Sequence, residues 1–231
     1  MKQKPDSSKQ AIALIKFFSE EEHYLSFKRG CSLLRTPHFY RKHEDIGRGD
    51  KNESCVGYWD KGLGDTMPTI EVDGQRIDSK DSESILIYPA HEQKDAWLQS
   101  WSVLGPHNCF EQSLERMLEE FGTYFVLLPA KKIRAYVKLL SKASDSQVRY
   151  GFVQYSSNPL DRSLTVKDIS FSYQKEFRFY VGECRKDEIE SKTLQLKGLG
   201  KMLLEAASLK LTSPSGEIRY CSLGRKEVVT A

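Results

Sequence analysis

Apolar residues recur along this chain in two patterns, and the first is typical of β-strands. Residues 11–18 (AIALIKFF) are apolar enough for a central strand. Asp73-Gly74 lies between two short alternating segments, which is a strong signal for a β-hairpin. Similar runs predict further strands at 31–35, 84–89, 96–104, 123–128, 148–155, 177–181 and 218–223.

The second pattern has the spacing of amphipathic helices, with apolar residues three and four positions apart. It predicts three helices, whose apolar positions are Phe110, Leu114, Met117, Leu118 and Phe121 in the first, Ile133, Tyr136, Val137 and Leu140 in the second, and Leu199, Met202, Leu203 and Ala206 in the third. A capping box formed by Ser19 and Glu22 predicts an additional short helix that ends at Gly30.

These elements alternate without an internal repeat, a low-complexity tract or an obvious linker. The polar residues 1–10 are interpreted as a flexible N-terminal tail, and residues 11–231 as a single domain. The predicted fold class is α+β, with a mixed, mainly antiparallel sheet and three or more amphipathic helices.

The composition argues against two classes of protein, a strongly basic nucleic-acid binder and a disordered chain. The 231 residues include 35 Lys and Arg against 32 Asp and Glu, so the formal net charge is only +3. A nucleic-acid binder that relies on bulk electrostatics would usually be more basic. With 11 Phe and 11 Tyr, the chain has too many apolar side chains for a disordered protein.

The cysteines and the N-terminus favour a cytoplasmic protein. The five cysteines are scattered and form no CxxC pair, so neither a disulfide framework nor a zinc site is predicted. The apolar run at 11–18 is too short for a signal segment, and no stretch reaches the length of a membrane span. We therefore expect no metal centre and no membrane partner.

The first candidate for chemistry is the pair Gln174-x-Glu176 at the start of a predicted strand. A carboxylate there could hold a ribose hydroxyl and stabilise a developing cation, while the neighbouring amide could position a nucleophile. The alternative is an exposed strand start with ordinary polar residues.

The second candidate is Ser100-Trp101-Ser102 inside an apolar run. Two hydroxyls on one strand could support a catalytic carboxylate beneath a nucleotide. Alternatively, the strand is half buried and its serines bond locally to the backbone.

Together, Ser-x-Ser followed downstream by Gln-x-Glu resembles the pattern of mono-ADP-ribosyltransferases. The resemblance implies that NAD is the substrate and that Glu176 is the catalytic carboxylate that stabilises an oxocarbenium-like transition state. It implies that Gln174 helps to select the acceptor and that Ser100 and Ser102 support the NAD site. The basic residue that the family carries on its first strand could be Lys16 or Arg35.

A second resemblance runs through the N-terminal two-fifths of the chain and the Gln-x-Glu strand. It is to uncharacterised bacterial and prophage-associated proteins that share an aromatic-Tyr-Arg stretch, an Arg-Gly-Asp-x-x-Glu loop and a late Glu-aromatic-Arg strand. The matching residues here are Tyr40, Arg41, Arg48, Gly49, Asp50, Glu53, Glu176 and Arg178. Some relatives resemble toxins or phage-defence proteins, so the resemblance favours an effector of that kind.

The loop at 48–53 also has chemistry of its own. Arg41 and Arg48 could bind a phosphate of the dinucleotide in bidentate fashion. Asp50 and Glu53 could order the loop, bind a cation or contact a substrate amine. The alternative is a surface Gly-Asp turn with solvated charges.

We therefore expect an NAD-dependent ADP-ribosyltransferase-like toxin or defence effector that modifies a protein or nucleic acid. The rival is a non-enzymatic binding module, similar to an inhibitor or antitoxin, that uses the aromatic and basic segment 38–48 and the lysine-rich helix after residue 130. A nuclease with unrecognised carboxylates is a third alternative.

Overall fold

The computed structural model describes residues 12–42, 49–50, 53–55, 57–87, 95–105, 110–158, 161, 163–204, 209–212 and 218–221. The described α-helices are α1 (Glu21–Lys28), α2 (Pro37–Lys42), α3 (Phe110–Phe121) and α4 (Ile133–Ser144). The described strands are β1 (Ala13–Phe18), β2 (Cys31–Leu34), β3 (Gly57–Asp60), β4 (Ile70–Val72), β5 (Gln75–Ile77), β6 (Ser84–Ile87), β7 (Asp95–Leu104), β8 (Tyr124–Pro129), β9 (Val148–Phe152), β10 (Gln154–Ser156), β11 (Val166–Asp168), β12 (Glu176–Cys184), β13 (Lys192–Gln195), β14 (Leu209–Thr212) and β15 (Ile218–Cys221).

A five-stranded sheet in the order β8-β1-β7-β12-β9 forms the centre, and all its neighbouring strands are antiparallel. β10 and β11 pair in parallel, so the pairing is mixed and mainly antiparallel. The predicted α+β class is confirmed. In the part of the chain that the structure describes, no helix is both long and apolar enough to cross a membrane.

Side chains alternate between the two faces of the central sheet, and different helices cover each face. On one face, Trp101 and Phe179 belong to a core that also contains Tyr136 and Leu140 of α4. On the other face, the buried residues include Ile15 of β1 and Leu114 and Met117 of α3, among others. The sheet is therefore the middle layer, with α3 and α4 on opposite sides.

Three local predictions differ from the structure. The capping box is wrong, because α1 has Glu20 at its N-cap and no side-chain hydrogen bond caps it. The segment predicted as a third helix forms a 3₁₀ turn at Leu199–Met202, and Leu204 then pairs with Leu127 as a β-bridge. Ala206 of that segment and residues 1–10 lie outside the described residues. Residues 148–155 form two strands, because the chain leaves β12 after Phe152.

Gly122 connects α3 to β8 in a conformation that other residues adopt with strain. Its φ is +102°, and a Cβ atom there would lie 2.3 Å from the Phe18 carbonyl oxygen. We expect Gly122→Ala to lower the free energy of unfolding by about 1–3 kcal/mol or more. Urea denaturation measures this loss.

Gly198 provides the matched control, since its φ is +88° but a Cβ atom would meet no heavy atom within 4 Å. Gly198→Ala therefore isolates the cost of the backbone conformation. An equal loss in both variants would contradict the steric part of the explanation.

Candidate active site

A cleft opens where β1 separates from β7. The two strands pair only from Ala13 to Ile15, and the last pair is Ile15 with Ser102. β1 then continues beside β8 as far as Phe18, while β7 continues beside β12. Further along β7, the backbone of Arg35 pairs with Leu98. Between these two contacts lies the stretch of β7 that contains Ser100.

The cleft has a volume of about 540 Å³, which is in the usual range for small-molecule sites. It is lined by four of the predicted site residues, Ser100, Ser102, Gln174 and Glu176. Arg178, Lys167 and Glu53 line it as well. The cleft therefore combines cationic and anionic side chains.

Strand register explains why residues so distant in sequence meet. In the antiparallel pair of β7 and β12, Ser102 lies opposite Glu176 and Ser100 lies opposite Arg178. The side chains of paired residues lie on the same face of a sheet. These four polar residues therefore interrupt a face that is apolar elsewhere, at Leu104 on one side and at Leu98 on the other.

Arg178 joins two buried carboxylates. Its Nε lies 2.5 Å from Oε1 of Glu176, and its Nη2 donates to Oε2 of Glu53 at 2.7 Å. Nη1 donates to the other oxygen of Glu53 and to the carbonyl oxygen of Leu164, the latter at 3.0 Å. Arg178, Glu53 and Glu176 are only 1%, 2% and 5% exposed. Their charges are therefore compensated inside the protein rather than by water.

Lys167 supplies a second cation to the same carboxylate. Its Nζ lies 3.3 Å from Oε2 of Glu176, 3.1 Å from Oε1 of Gln174 and 3.9 Å from Oδ2 of Asp50. The carboxylate of Glu176 thus contacts both Arg178 and Lys167. Lys167 belongs to β11. The 3₁₀ segment Ile169–Gln174 follows β11 directly and leads to β12, which begins at Glu176.

These contacts keep Glu176 ionised. Burial alone would raise the pKa of its carboxyl group, but the charges of Arg178 and Lys167 and hydrogen bonds from Arg178 and Ser100 lower the pKa to about 2. At neutral pH, Glu176 can stabilise a positive charge but has no proton to donate. This is the property that the predicted role of Glu176 requires.

The lowered pKa predicts acid sensitivity. The pKa of Glu176 is about 2 in the folded protein and near 4.5 in the unfolded chain. As the pH falls, Glu176 is therefore protonated in the unfolded chain before it is protonated in the folded protein. The stability that Glu176 contributes is present above pH 4.5 and is lost as the pH approaches about 2. Urea denaturation at about pH 6 and about pH 3 measures the effect. The fall in stability should be smaller in Glu176→Gln; an equal fall in both proteins would contradict this origin.

Gln174 is held by a hydrogen-bonded chain that reaches α3. Its Nε2 donates to the hydroxyl oxygen of Tyr173 at 3.2 Å, and that hydroxyl donates to the carboxylate of Glu120. The guanidinium of Arg116 pairs with Glu120 at 2.8 Å. Burial, followed by the bond to Glu120, raises the pKa of Tyr173 to about 12. The hydroxyl therefore stays protonated and continues to donate.

The two serines have different surroundings. The hydroxyl of Ser100 contributes to lowering the pKa of the Glu176 carboxyl group. The hydroxyl of Ser102 instead donates to Sδ of Met117 in α3, at 3.1 Å. Both serines nevertheless line the cleft.

Both candidates for the basic residue of the first strand line the cleft. Nζ of Lys16 donates to the carbonyl oxygen of Ser100 at 3.0 Å, at the point where β1 has left β7. The guanidinium carbon of Arg35 lies 4.0 Å from the centroid of the Phe39 ring. The cleft therefore has two cations in addition to Lys167 and Arg178.

The predicted phosphate ligands are placed differently. Arg41 is not among the residues that line the cleft; its guanidinium donates to the carbonyl oxygens of Glu53 at 2.7 Å and Lys186 at 3.0 Å. It also lies 3.9 Å from the carboxylate of Asp95. Arg48 lies outside the described residues. Arg41 thus anchors the backbone of the loop beside the cleft.

The surface-turn interpretation of the loop is wrong for its carboxylates. Asp50 and Glu53 are only 4% and 2% exposed, and they face Lys167 and Arg178. The second resemblance grouped Glu53 with Glu176 and Arg178, but the sequence did not show that the three pair. Lys167 and Tyr173 were missed because neither belongs to a recognisable motif. Among the residues described, no group of three or more His, Cys, Asp or Glu is arranged to hold a metal ion.

Comparison with protein-family models, curated proteins and solved structures gives no match for this chain. The functional assignment therefore depends on the residues of the cleft.

Proposed function

We propose that this protein is an ADP-ribosyltransferase-like enzyme that cleaves the nicotinamide–ribose bond of NAD and transfers ADP-ribose to a protein or nucleic acid. The observation that carries the proposal is the meeting of Ser100, Ser102, Gln174 and an ionised Glu176 in one cleft. Ser102 and Glu176, which are more than seventy residues apart in sequence, lie opposite each other in the register of β7 and β12, and Gln174 ends the 3₁₀ segment just before β12.

The charge of Glu176 suits the proposed reaction. When the bond between C1′ and nicotinamide breaks, its electron pair leaves with nicotinamide and the ribose becomes cationic. A fixed carboxylate beside that ring stabilises the cation more than the ground state, which is the condition for catalysis. Nicotinamide leaves as a neutral molecule and needs no proton from the enzyme. The reaction therefore requires no general acid, and Glu176 can act in its ionised form.

The cleft also has the groups that NAD would need. Lys16 and Arg35 are cations that could bind the two phosphates, and the aromatic rings of Phe17 and Phe39 could contact the planar bases. Its volume of about 540 Å³ is compatible with a ligand larger than a single nucleoside.

The proposal includes a biological setting, that of a toxin or phage-defence effector in the cytoplasm. The resemblance to toxin and phage-defence proteins supports an effector that acts on a macromolecule in the cytoplasm. The scattered cysteines of the sequence fit a reducing compartment.

A nucleic-acid-binding module is the second candidate, and the surface around α4 favours it. Its basic residues Lys131, Lys132, Arg134, Lys138 and Lys142 are exposed. Such a row can bind phosphates, and the affinity then falls steeply with salt. In this alternative, the Arg178 network has a structural role only.

The transferase proposal can be tested with NAD labelled in its adenylate phosphate. Purified protein, or its Glu176→Gln variant, is incubated with the label and a bacterial extract. We expect label in macromolecules only with the unmodified protein, and digestion with protease or nuclease then identifies the acceptor class. Absence of transfer, or equal transfer by the variant, would contradict the proposal. Salt-dependent binding of nucleic acid without transfer would instead support the second candidate.

A further inference from the structure

The ammonium group of Lys167 lies near oxygen atoms of three other side chains. These are Oε1 of Gln174 at 3.1 Å, Oε2 of Glu176 at 3.3 Å and Oδ2 of Asp50 at 3.9 Å. Nζ also lies 4.5 Å from the centroid of the Phe171 ring. A carbonyl oxygen, two carboxylates and an aromatic face all favour a cation over a neutral group. The position is therefore suited to an ammonium ion.

This position lies where an acceptor would have to approach. In the proposed reaction, Gln174 faces the acceptor and Glu176 lies beside the ribose carbon that is attacked. The nitrogen of Lys167 contacts both residues and, like them, it lines the cleft. An incoming nucleophile that replaced it would keep the same hydrogen bonds.

We infer that the acceptor is a primary alkylamine of the lysine type and that Lys167 holds its position until an external amine displaces it. The inference rests on the proposed function and adds the chemical class of the acceptor. Before the reaction, a bound alkylammonium would replace the positive charge of Lys167 beside Asp50 and Glu176, whereas a neutral hydroxyl or amide would remove that charge from a buried site.

The transfer step balances without another reactant. The alkylammonium first loses a proton to solvent water, which frees its lone pair. The C1′–nitrogen bond to nicotinamide breaks, and its electron pair stays on nicotinamide. The amine lone pair then forms the new bond to C1′, and a second proton is released to solvent. Glu176 remains an anion throughout.

Lys167 is a tethered competitor for the acceptor. A group attached to its own site acts at an effective concentration on the order of millimolar. A free amine therefore has to exceed that concentration in the unmodified protein. Without the side-chain ammonium, the amine should bind at a concentration lower by about tenfold or more.

The experiment uses the full chain, NAD and n-butylamine, with n-butanol as the neutral control. Mass spectrometry separates the butylamine–ADP-ribose adduct from free ADP-ribose, the product of hydrolysis. We expect adduct with n-butylamine and none with n-butanol. The half-maximal amine concentration should fall about tenfold in Lys167→Met and Lys167→Gln, and it should be unchanged in Lys167→Arg, which keeps the cation.

Two results would overturn the inference while leaving the proposed function intact. The first is hydrolysis of NAD by the unmodified protein without formation of the amine adduct. This measurement does not depend on whether any variant folds. The second is the same half-maximal amine concentration in the unmodified protein and in folded Lys167→Met and Lys167→Gln.

If NAD is not cleaved at all, the proposed function fails, and thermal denaturation then tests the ammonium position alone. n-Butylammonium chloride, compared with potassium chloride, should raise the melting temperature of Lys167→Gln but not that of the unmodified protein. An unchanged melting temperature for Lys167→Gln would overturn the inference.

Discussion

Replacing Arg178 with methionine is expected to lower the free energy of unfolding by about 3–5 kcal/mol. The reason is that Glu53 and Glu176, which are 2% and 5% exposed, would stay buried without the guanidinium that contacts both of them. Losing one partner of a buried ion pair costs far more than the pair contributes, since the remaining charge is desolvated and uncompensated. Because a domain typically has about 5–15 kcal/mol of stability, the loss would be large.

Urea denaturation measures this loss, and Arg185 provides the matched control. Arg185 pairs with Asp187 at 3.5 Å and with Glu188 at 3.8 Å, but its side chain is 76% exposed. Arg185→Met should change the free energy of unfolding by no more than about 0.5 kcal/mol. If the two variants lost similar amounts, the Arg178 network would not be the desolvated cluster described above.

A second test of the network combines Arg178→Met with Glu53→Gln. The double variant should be more stable than Arg178→Met alone, because the side chain of Glu53, whose carboxylate pairs with Arg178, is then neutral. Additive losses would indicate that Glu53 and Arg178 do not interact, contrary to their hydrogen bonds.

Much of the fold could be predicted because its strongest signals are local. The alternation at 96–104 and the helical spacing at 110–121 gave β7 and α3, and Asp73-Gly74 gave the hairpin of β4 and β5. The helix predicted after Leu199 failed for a tertiary reason. Leu204 pairs with Leu127 at the edge of the central sheet, and this contact overrides a helical pattern of only four positions.

The candidate site could be predicted only in part. Gln174-x-Glu176 and Ser100-x-Ser102 carry chemistry that can be recognised from residue type, and both motifs do line one cleft. The alternation of a strand does not specify which residue of another strand lies opposite, so the pairing of Ser102 with Glu176 depends on long-range register.

The charge partners of Glu176 could not be predicted from sequence. A lysine in the segment Val166–Asp168 usually indicates a solvated side chain, yet Lys167 is only 6% exposed. Its ammonium group lies among Asp50, Gln174 and Glu176, which come from other parts of the chain. Only the tertiary structure reveals such a cluster, because its members come from three separate stretches of the chain.

Replacing Glu176 with glutamine is expected to lower the rate of NAD cleavage by about 10²–10³-fold. Glutamine is nearly isosteric and can still bond to Arg178 and Ser100, but it lacks the negative charge that stabilises the ribose cation. The effect should appear in kcat, because the missing interaction is made mainly in the transition state. A rise in KM with unchanged kcat would mean that Glu176 contributes equally to binding of the ground state and of the transition state.

Glu120→Gln serves as a control that is linked to the same network but lies farther from the reacting carbon. Glu120 accepts the Tyr173 hydroxyl hydrogen bond and contacts Gln174 only through Tyr173. It should affect hydrolysis of NAD much less than Glu176→Gln does. A comparable loss would show that the fold of the site, rather than the charge of Glu176, had been disturbed.

Whether Glu176 catalyses NAD cleavage is tested by the rate at which the purified chain alone releases nicotinamide from NAD, without any macromolecular acceptor. Water then acts as the acceptor, so the result does not depend on which macromolecule is modified. We expect steady release by the unmodified protein and a rate about 10²–10³-fold lower for Glu176→Gln. No release, or equal release by both proteins while circular dichroism shows that both are folded, would contradict this expectation.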